Sequence, residues 1–450
     1  MMLTLRETAL ALEGQLIGDH ADTVFERVTT DSRDVRPGDL FVALKGDRFD
    51  GHDFVAGALA QGAVAALVQN AAGDAGPRIV VGDTLAALGR LGSYWRDKLD
   101  PVVVGITGSN GKTTVKEMTA TVLAAHAGAD AVLATRGNLN NHIGVPLTLL
   151  ALRPQHRYAV IEMGMNHFGE IDYLTRLARP DVALVNNAGA AHLEALGSVE
   201  GVARAKGEIF GGLPDDGVAI INADDAHAAL WSTLANGHKQ ITFGTIAAEI
   251  AAREVQQDAA GSRFILDAPL DDAPVTLPVP GLHNVRNALA AAAVGYALGL
   301  EIADIAAALS AYHGVKGRLE NKAAANGARV IDDTYNANPD SMKAAIDVLV
   351  TAPAPTLLVL GDIGEVGENA AALHAEVGAY ARQHGVGALY TLGNEMRHAS
   401  AAFGEGRHFE QLEQLTAALR DAVTPGTTVL VKGSRFMRME RVVDALVEGR

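Results

Sequence analysis

Apolar positions along this chain fall into short unbroken runs separated by amphipathic stretches. Val102 to Gly108 (VVVGITG) is apolar almost throughout, as strands buried on both faces of a parallel sheet are. A glycine-rich turn follows, then a helical segment from Thr113 to Ala125. Three further runs repeat the theme: YAVIEMG (Tyr158 to Gly164), DVALVNN (Asp181 to Asn187) and GVAIINADD (Gly217 to Asp225). Each ends in polar residues, and helical patterns lie between them. After Gly314 a second series appears: ARVIDD (Ala328 to Asp333), TLLVLGD (Thr356 to Asp362), GALYTLG (Gly387 to Gly393) and TTVLVKGS (Thr427 to Ser434). Ahead of both, the turn Arg36-Pro37-Gly38 introduces a strand, Asp39 to Gly46. Asp53 to Val68 then reads as a helix, a glycine and a short strand. Thr84 to Leu99 is an amphipathic helix, and Pro101 begins a new element.

Strands alternating with helices predict doubly wound α/β architecture, with ligands at the carboxyl ends of the strands. The pattern divides into three domains: a small N-terminal α/β unit (1–83), a central unit with a mostly parallel sheet and a phosphate-type loop (84–314), and a C-terminal Rossmann-like α/β unit (315–450). At 450 residues the chain is too long for one hydrophobic core, which agrees with that division.

Composition narrows the function classes. Hydrophobic residues make up 48% and charged residues 20%, as in ordinary globular proteins. There is no cysteine, so disulfides and zinc–thiolate sites are excluded. A formal charge of −16 argues against broad nucleic-acid or anionic-membrane binding. Arg6, Glu7 and Glu13 interrupt the N-terminal apolar residues, unlike a signal peptide. The longest apolar stretch, Ala288 to Leu300, is too short to span a bilayer and reads as a buried helix. A cytoplasmic enzyme is the expectation.

The chemistry concentrates first in Thr107-Gly108-Ser109-Asn110-Gly111-Lys112-Thr113-Thr114, between a strand and a helix. Glycines there let backbone N–H groups turn toward phosphate oxygens, and the helix N-terminus adds partial positive charge. Lys112 suits the terminal phosphates and Thr113 suits Mg²⁺. The general Walker spacing would need glycine at position 106, where Ile106 stands, so this is the compact G-x-N-G-K-T form. Glu162, His192 and Lys206 come at or beyond successive strands. Taken singly they read as a solvated strand end, a structural loop residue and a surface lysine. Together they fall near the sheet edge that carries the loop. Glu162 offers Mg²⁺ the hard oxygen it prefers. His192 is a less usual ligand and could orient a water, while Lys206 cannot ligate as an ammonium.

TGSNGKTT, EMG, NNAGAAHLE, AKGEIF, GLHNVRNALAAAAV, GRLE, DDTYNANPDSM and KGSRFMRME, in that order, resemble the Mur ligases of peptidoglycan synthesis over essentially the whole chain. TTDSRDVRPGDLFVALKG and Asp50-Gly51-His52 resemble that family's uridine-binding domain. DTYNANP with GNLNNHIGVPLTLL points to the dipeptide-adding branch. The resemblance implies an ATP-dependent, ADP-forming ligation through an acyl-phosphate, with UDP-N-acetylmuramoyl-tripeptide and D-alanyl-D-alanine as substrates and a monomer sufficing. Carried over by residue, it implies that Lys112 and Arg318 neutralise the migrating phosphate. Thr113 and Glu162 would hold Mg²⁺, with His192 near a second ion and Lys206 carbamylated. Asn284 and Asn287 would face adenine, and Asp333 the ribose or its loop. Asn336, Asn338, Lys432 and Ser434 are implied contacts of the dipeptide. Asn138, Asn140 and Asn141 fall to the peptide side of the nucleotide substrate, and Ser32, Arg33 and Gly46 to its uridine diphosphate.

Other readings compete. A tripeptide-forming relative is opposed by DTYNANP, and a folylpolyglutamate synthase by the N-terminal unit. A nucleotide-sensing switch would not need Glu162, His192 and Lys206 together. An inactive scaffold would not keep Lys112, Thr113, Glu162 and Lys206 intact.

Overall fold

The computed structural model describes residues 1–46, 49–70, 76–190 and 193–449. Among these, three sheets succeed one another along the chain. The first holds β1 (Gln15–Ile17), β2 (Arg27–Thr29), β3 (Asp39–Val42), β4 (Ala65–Val68) and β5 (Arg78–Val80), in the order β1-β5-β4-β3-β2. Only β1 runs antiparallel to its neighbour. Because β2 and β3 are adjacent and parallel, the turns after them emerge at one edge. Ser32, Arg33 and Gly46 stand in those turns.

The second sheet contains β6 (Val102–Thr107), β7 (Val132–Ala134), β8 (Tyr158–Glu162), β9 (Val182–Val185), β10 (Val218–Asn222), β11 (Lys239–Gly244), β12 (Ile250–Gln257), β13 (Ser262–Asp267) and β14 (Asp272–Leu277). Their order is β14-β13-β12-β11-β10-β9-β6-β8-β7. β6 lies between β8 and β9, so the chain reverses winding direction there. The loop after β6 is flanked by the carboxyl end of β8 on one side and that of β9 on the other. Parallel pairing extends from β7 to β12, after which two antiparallel hairpins extend the sheet. The apolar runs do not announce those hairpins. β14 alternates exposed and buried positions along DAPVTL, a one-face pattern rather than a buried run.

The third sheet comprises β15 (Glu320–Ala323), β16 (Arg329–Asp333), β17 (Thr356–Gly361), β18 (Ala388–Leu392), β19 (Arg407–Phe409) and β20 (Thr428–Lys432), ordered β15-β16-β20-β17-β18-β19. It is parallel except for β15. Apolar clusters cover both faces, one including Leu358, Leu360 and Ile346, the other Val359, Val431 and Val442.

Packing joins the first two units closely. One core runs from Leu3, Phe25 and Leu40 of the first unit through Leu88 and Trp95 to Val103 and Ile161 of the second sheet. Its bridge is the helix Thr84–Leu99, whose N-terminus is capped by the Asp83 carboxylate. Tyr94 of this helix donates to Glu7 at 3.0 Å, and the Trp95 indole to the Leu152 carbonyl at 3.0 Å. On the sheet's other face lies the alanine-rich helix Leu282–Ala297, with Ala288 to Ala293 entirely buried. Alanine there lets the helix approach the sheet and the helix Lys112–Ala127 closely. Among the described residues no helix is long and apolar enough to cross a membrane.

Candidate active site

β6 delivers the loop Gly108–Gly111 directly into the helix Lys112–Ala127. Gly111 has φ +79°, and a Cβ there would stand 2.4 Å from Asn287 Oδ1 and 2.6 Å from Asn186 Nδ2. Only glycine fits that turn. Asparagines brace the loop from the side. Asn110 N–H donates to Asn187 Oδ1 at 2.8 Å, and its carbonyl accepts from Asn186 and Asn187 at 2.9 and 3.0 Å. Asn186 Nδ2 also donates to Asn287 Oδ1 at 3.0 Å, and Asn287 in turn to Asn284 Oδ1 at 3.1 Å. Asn284 and Asn287 thus act partly as scaffolding, two buried residues on the alanine-rich helix. Thr107 points away from the groove, with its hydroxyl on the Met163 carbonyl at 2.9 Å.

Lys112 folds over the loop and donates to the Gly108 and Ser109 carbonyls at 2.6 and 3.3 Å. Burial holds its ammonium below the ordinary lysine value; Glu162 opposes this and Arg318 adds to it. Thr113 donates its hydroxyl to Glu162 Oε2 at 2.9 Å, and Asn140 donates to Glu162 Oε1 at 2.8 Å. Arg318 reaches from the third domain and donates to Thr113 Oγ1 at 3.0 Å. Its guanidinium also lies 4.3 Å from the centroid of the Tyr335 ring. At the head of this helix two cations, Lys112 and Arg318, therefore stand beside the Glu162 carboxylate, which suits phosphate oxygens there.

Lys206 is 2% exposed, where the residue pattern alone reads it as a surface lysine. Among the described residues its side chain has no hydrogen-bond or ion-pair partner. Burial pushes its ammonium well below the ordinary value, and the charge of Lys112 pushes the same way. His192 lies outside the described residues.

The third domain supplies the opposite wall. Asn338 caps the helix Pro339–Leu349 with a reciprocal capping box and donates Nδ2 to Asn110 Oδ1 at 2.7 Å, binding the domain to the nucleotide loop. Lys432, 3% exposed, donates to Asp333 Oδ2 at 2.6 Å and to the Asn336 carbonyl at 2.9 Å. Burial raises the Asp333 carboxyl above its ordinary value against the pull of Lys432 and Arg318. The cleft measures about 540 Å³ and brings together Ser109 to Thr114, Asn140, Glu162, Asn284, Asn287, Arg318, Asp333, Asn336, Asn338 and Lys432. A cavity of that size accommodates a nucleotide.

Other expected contacts are placed apart or already engaged. Ser434 accepts from Gly364 N–H at 2.8 Å and donates to the Ala337 carbonyl at 3.3 Å. Asn141 accepts from the backbone of Ile143 and Gly144 at 3.1 and 2.9 Å, opening the helix Gly144–Leu150. Asn138 is exposed on that loop. Arg33 is exposed and paired with Asp31 at 2.8 Å. Ser32 offers its carbonyl to Gln61, and Gly46 donates its N–H to the Phe49 carbonyl at 3.0 Å. These last three stand on the first domain, outside the cavity. Several lining residues were given no role by the sequence: Asn186, His283, Arg286, Tyr335 and Asp340 lie inside the quoted motifs, and Asn222, Asp224 and Asp225 close the run GVAIINADD. The polar ends of β9 and β10 are the signal that could have found Asn186, Asn222, Asp224 and Asp225. His283 is a neutral imidazole, pushed down to about 4 by burial and by Lys432 and Arg286.

Among the described residues no three carboxylates and imidazoles gather as a metal cluster. A divalent ion would therefore rely on the Glu162 carboxylate and Thr113 hydroxyl, with phosphate oxygens completing its shell. Their adjacency and hardness fit Mg²⁺. The loop, the carboxylate and an arginine from a docked third domain define a nucleotide-phosphate site in a protein of three α/β domains. Comparison with known proteins assigns the family. The Mur ligase middle domain matches residues 106–295, the "Mur ligase, glutamate ligase domain" residues 317–435, and the "Mur ligase family, catalytic domain" residues 24–94. The chain belongs to the Mur ligase family. It is 44% identical over 450 residues to UDP-N-acetylmuramoyl-tripeptide--D-alanyl-D-alanine ligase of Escherichia coli (strain K12), covering 99% of this chain and 98% of that protein. Identity to the enzyme of the same name from Bacillus subtilis (strain 168) is 37%, with the same coverage. The crystal structure of MurF from Acinetobacter baumannii superposes with a TM-score of 0.95 at 37% identity, covering 100% of this chain and 99% of that one. MurF from Thermotoga maritima in complex with ADP gives 0.86 at 28% identity, covering 95% and 98%.

Proposed function

We propose that this chain joins D-alanyl-D-alanine to UDP-N-acetylmuramoyl-tripeptide at the expense of ATP, in peptidoglycan precursor synthesis. The observation that carries the reading is full-length similarity to enzymes so named, with the groups the reaction needs gathered around one cavity. A carboxylate is a poor electrophile until phosphorylated. The tripeptide carboxylate takes the γ-phosphoryl group and ADP departs. The dipeptide amine then attacks the acyl carbon, and phosphate leaves as the amide forms. Lys112 and Arg318 supply positive charge where phosphate charge shifts, and they are preorganised by the loop and the Tyr335 ring. Glu162 and Thr113 would hold Mg²⁺, which would supply charge neutralisation at the phosphates. Asn284 and Asn287 serve the adenine side and Asp333 the ribose side.

With its ammonium form disfavoured by burial, Lys206 is suited to add CO₂ and release a proton, becoming a carbamate whose oxygen-bearing anion faces Lys112. His192 is assigned near a second ion. Asn138, Asn140 and Asn141 are assigned to the peptide of the first substrate, and Ser32, Arg33 and Gly46 to its uridine diphosphate. Asn336, Asn338, Lys432 and Ser434 are assigned to the dipeptide. ATP and UDP-linked sugars are cytoplasmic solutes, so the reaction belongs in the cytoplasm. Every group invoked comes from one chain, so a monomer suffices.

Phosphate release tests the reading, with ATP, Mg²⁺ and UDP-N-acetylmuramoyl-tripeptide in every reaction and different amines in parallel. Release that requires D-alanyl-D-alanine is expected. Release driven by a free amino acid would move the enzyme to another branch, and none with any amine would overturn the ligase assignment.

A further inference from the structure

Lys116 stands one helical turn beyond Lys112 but lines no part of the cavity; it is 1% exposed. Burying a cation is unfavourable unless it is paired and hydrogen-bonded, and an apolar side chain would fill the same space without that cost. Its partners show what the charge does. The ammonium donates to the Thr135 carbonyl at 2.6 Å and pairs with Glu117 at 2.6 Å. Thr135 is 1% exposed and stands immediately after β7. Its N–H donates to the Val160 carbonyl at 3.0 Å, and its hydroxyl accepts the backbone N–H of Glu162 at 2.9 Å. Five residues on, Asn140 donates to the Glu162 carboxylate, and its carbonyl accepts from Gly164 N–H at 2.8 Å. The segment from Thr135 to Asn140 therefore grips Glu162 at its backbone and at its carboxylate. Lys116 fastens the root of that segment to the helix that carries Lys112 and Thr113.

We propose that Lys116 and Thr135 are positioning residues for the metal–nucleotide complex: they fix the Glu162 carboxylate relative to Thr113 while touching neither ion nor substrate. This rests on the reading of Glu162 and Thr113 as oxygen donors to Mg²⁺. Partners that orient a metal ligand typically change metal affinity about 10–100-fold when removed.

The test is calorimetric titration of the full-length protein with ADP, in Mg²⁺ and in EDTA, alongside thermal melts. Thr135→Val keeps the shape and removes the hydroxyl, whereas Thr135→Ser restores it; Lys116→Met keeps the length and removes the charge. Thr135→Val and Lys116→Met are expected to weaken ADP binding about tenfold in Mg²⁺, with affinity in EDTA unchanged. Thr135→Ser should bind as the wild type does. The Mg²⁺ concentration for half-maximal phosphate release should rise in parallel. A lowered melting temperature with unaltered Mg²⁺ dependence, or equal losses in EDTA and Mg²⁺, would overturn the proposal. If Lys116→Met does not fold, the Thr135 pair decides alone. Wild-type protein whose ADP binding ignores Mg²⁺ would overturn the metal reading itself, and this inference with it.

Discussion

Two lysines with the same formal charge are put to different uses by their surroundings. Lys112 keeps access to the groove and has loop carbonyls to hold it, so it can meet a phosphate as a cation. Replacing it by alanine should lower turnover about 10²–10³-fold, the usual cost of losing one preorganised donor at a charged transition state. Steady-state kinetics with melts to show intact folding would check this, and near-normal turnover would refute the role. Lys206 is buried without a described partner, and burial together with the charge of Lys112 disfavours its ammonium form. Its alanine variant should lose activity and regain part of it when short carboxylic acids are added, since their oxygens can occupy the place of a carbamate. Absence of rescue across acids of increasing length would count against the carbamate.

At the level of elements, the site is made by strand ends and helix starts that the sheet order brings side by side. β6 sits between β8 and β9, so Glu162 flanks the nucleotide loop on one side and Asn186 and Asn187 on the other. The helix Leu282–Ala297 adds His283 from its first turn. With its folded value near 4 and an ordinary value of 6.5, this histidine is neutral in the native state while the unfolded chain protonates. Its contribution to stability is full above pH 6.5 and is lost as pH falls from there toward 4. Denaturant melts should show that loss, and His283→Gln should flatten it. An unchanged pH profile in the variant would show that other groups govern the acid limb.

For the whole molecule, the question is how the third domain meets the second. The first two units share one continuous core, whereas the third touches the nucleotide loop through Arg318 on Thr113 and Asn338 on Asn110. Domain faces joined by polar contacts of this kind move relative to one another unless a ligand bridges them. Bound nucleotide would add that bridge and exclude water from the acyl-phosphate. Small-angle scattering should therefore show a smaller radius of gyration with an ATP analogue plus the first substrate than without. Superimposable curves would argue for a permanently closed enzyme.

The amino-acid sequence by itself determined the local chemistry: which runs become buried parallel strands, where glycine permits the loop to turn, and which lysine and threonine open the next helix. It also carried the family, because TGSNGKTT, EMG, DTYNANP and KGSRFMRME are contiguous and each keeps its chemistry within a few residues. Tertiary structure decided what depends on distant segments meeting. The hairpins from β12 to β14 are not legible in the apolar pattern because a one-face strand lacks a continuous apolar run. Lys206 is buried because its helix packs against its neighbours, which the residues beside it in the sequence do not reveal. Asn141 and Ser434 were drawn into turn and loop hydrogen bonds by geometry, although their residue types suit a ligand equally well. Arg318 met Thr113 across 205 residues of chain only because two domains dock. Side-chain type sets what a residue can do, while packing sets its charge state, its partners and whether it faces the groove.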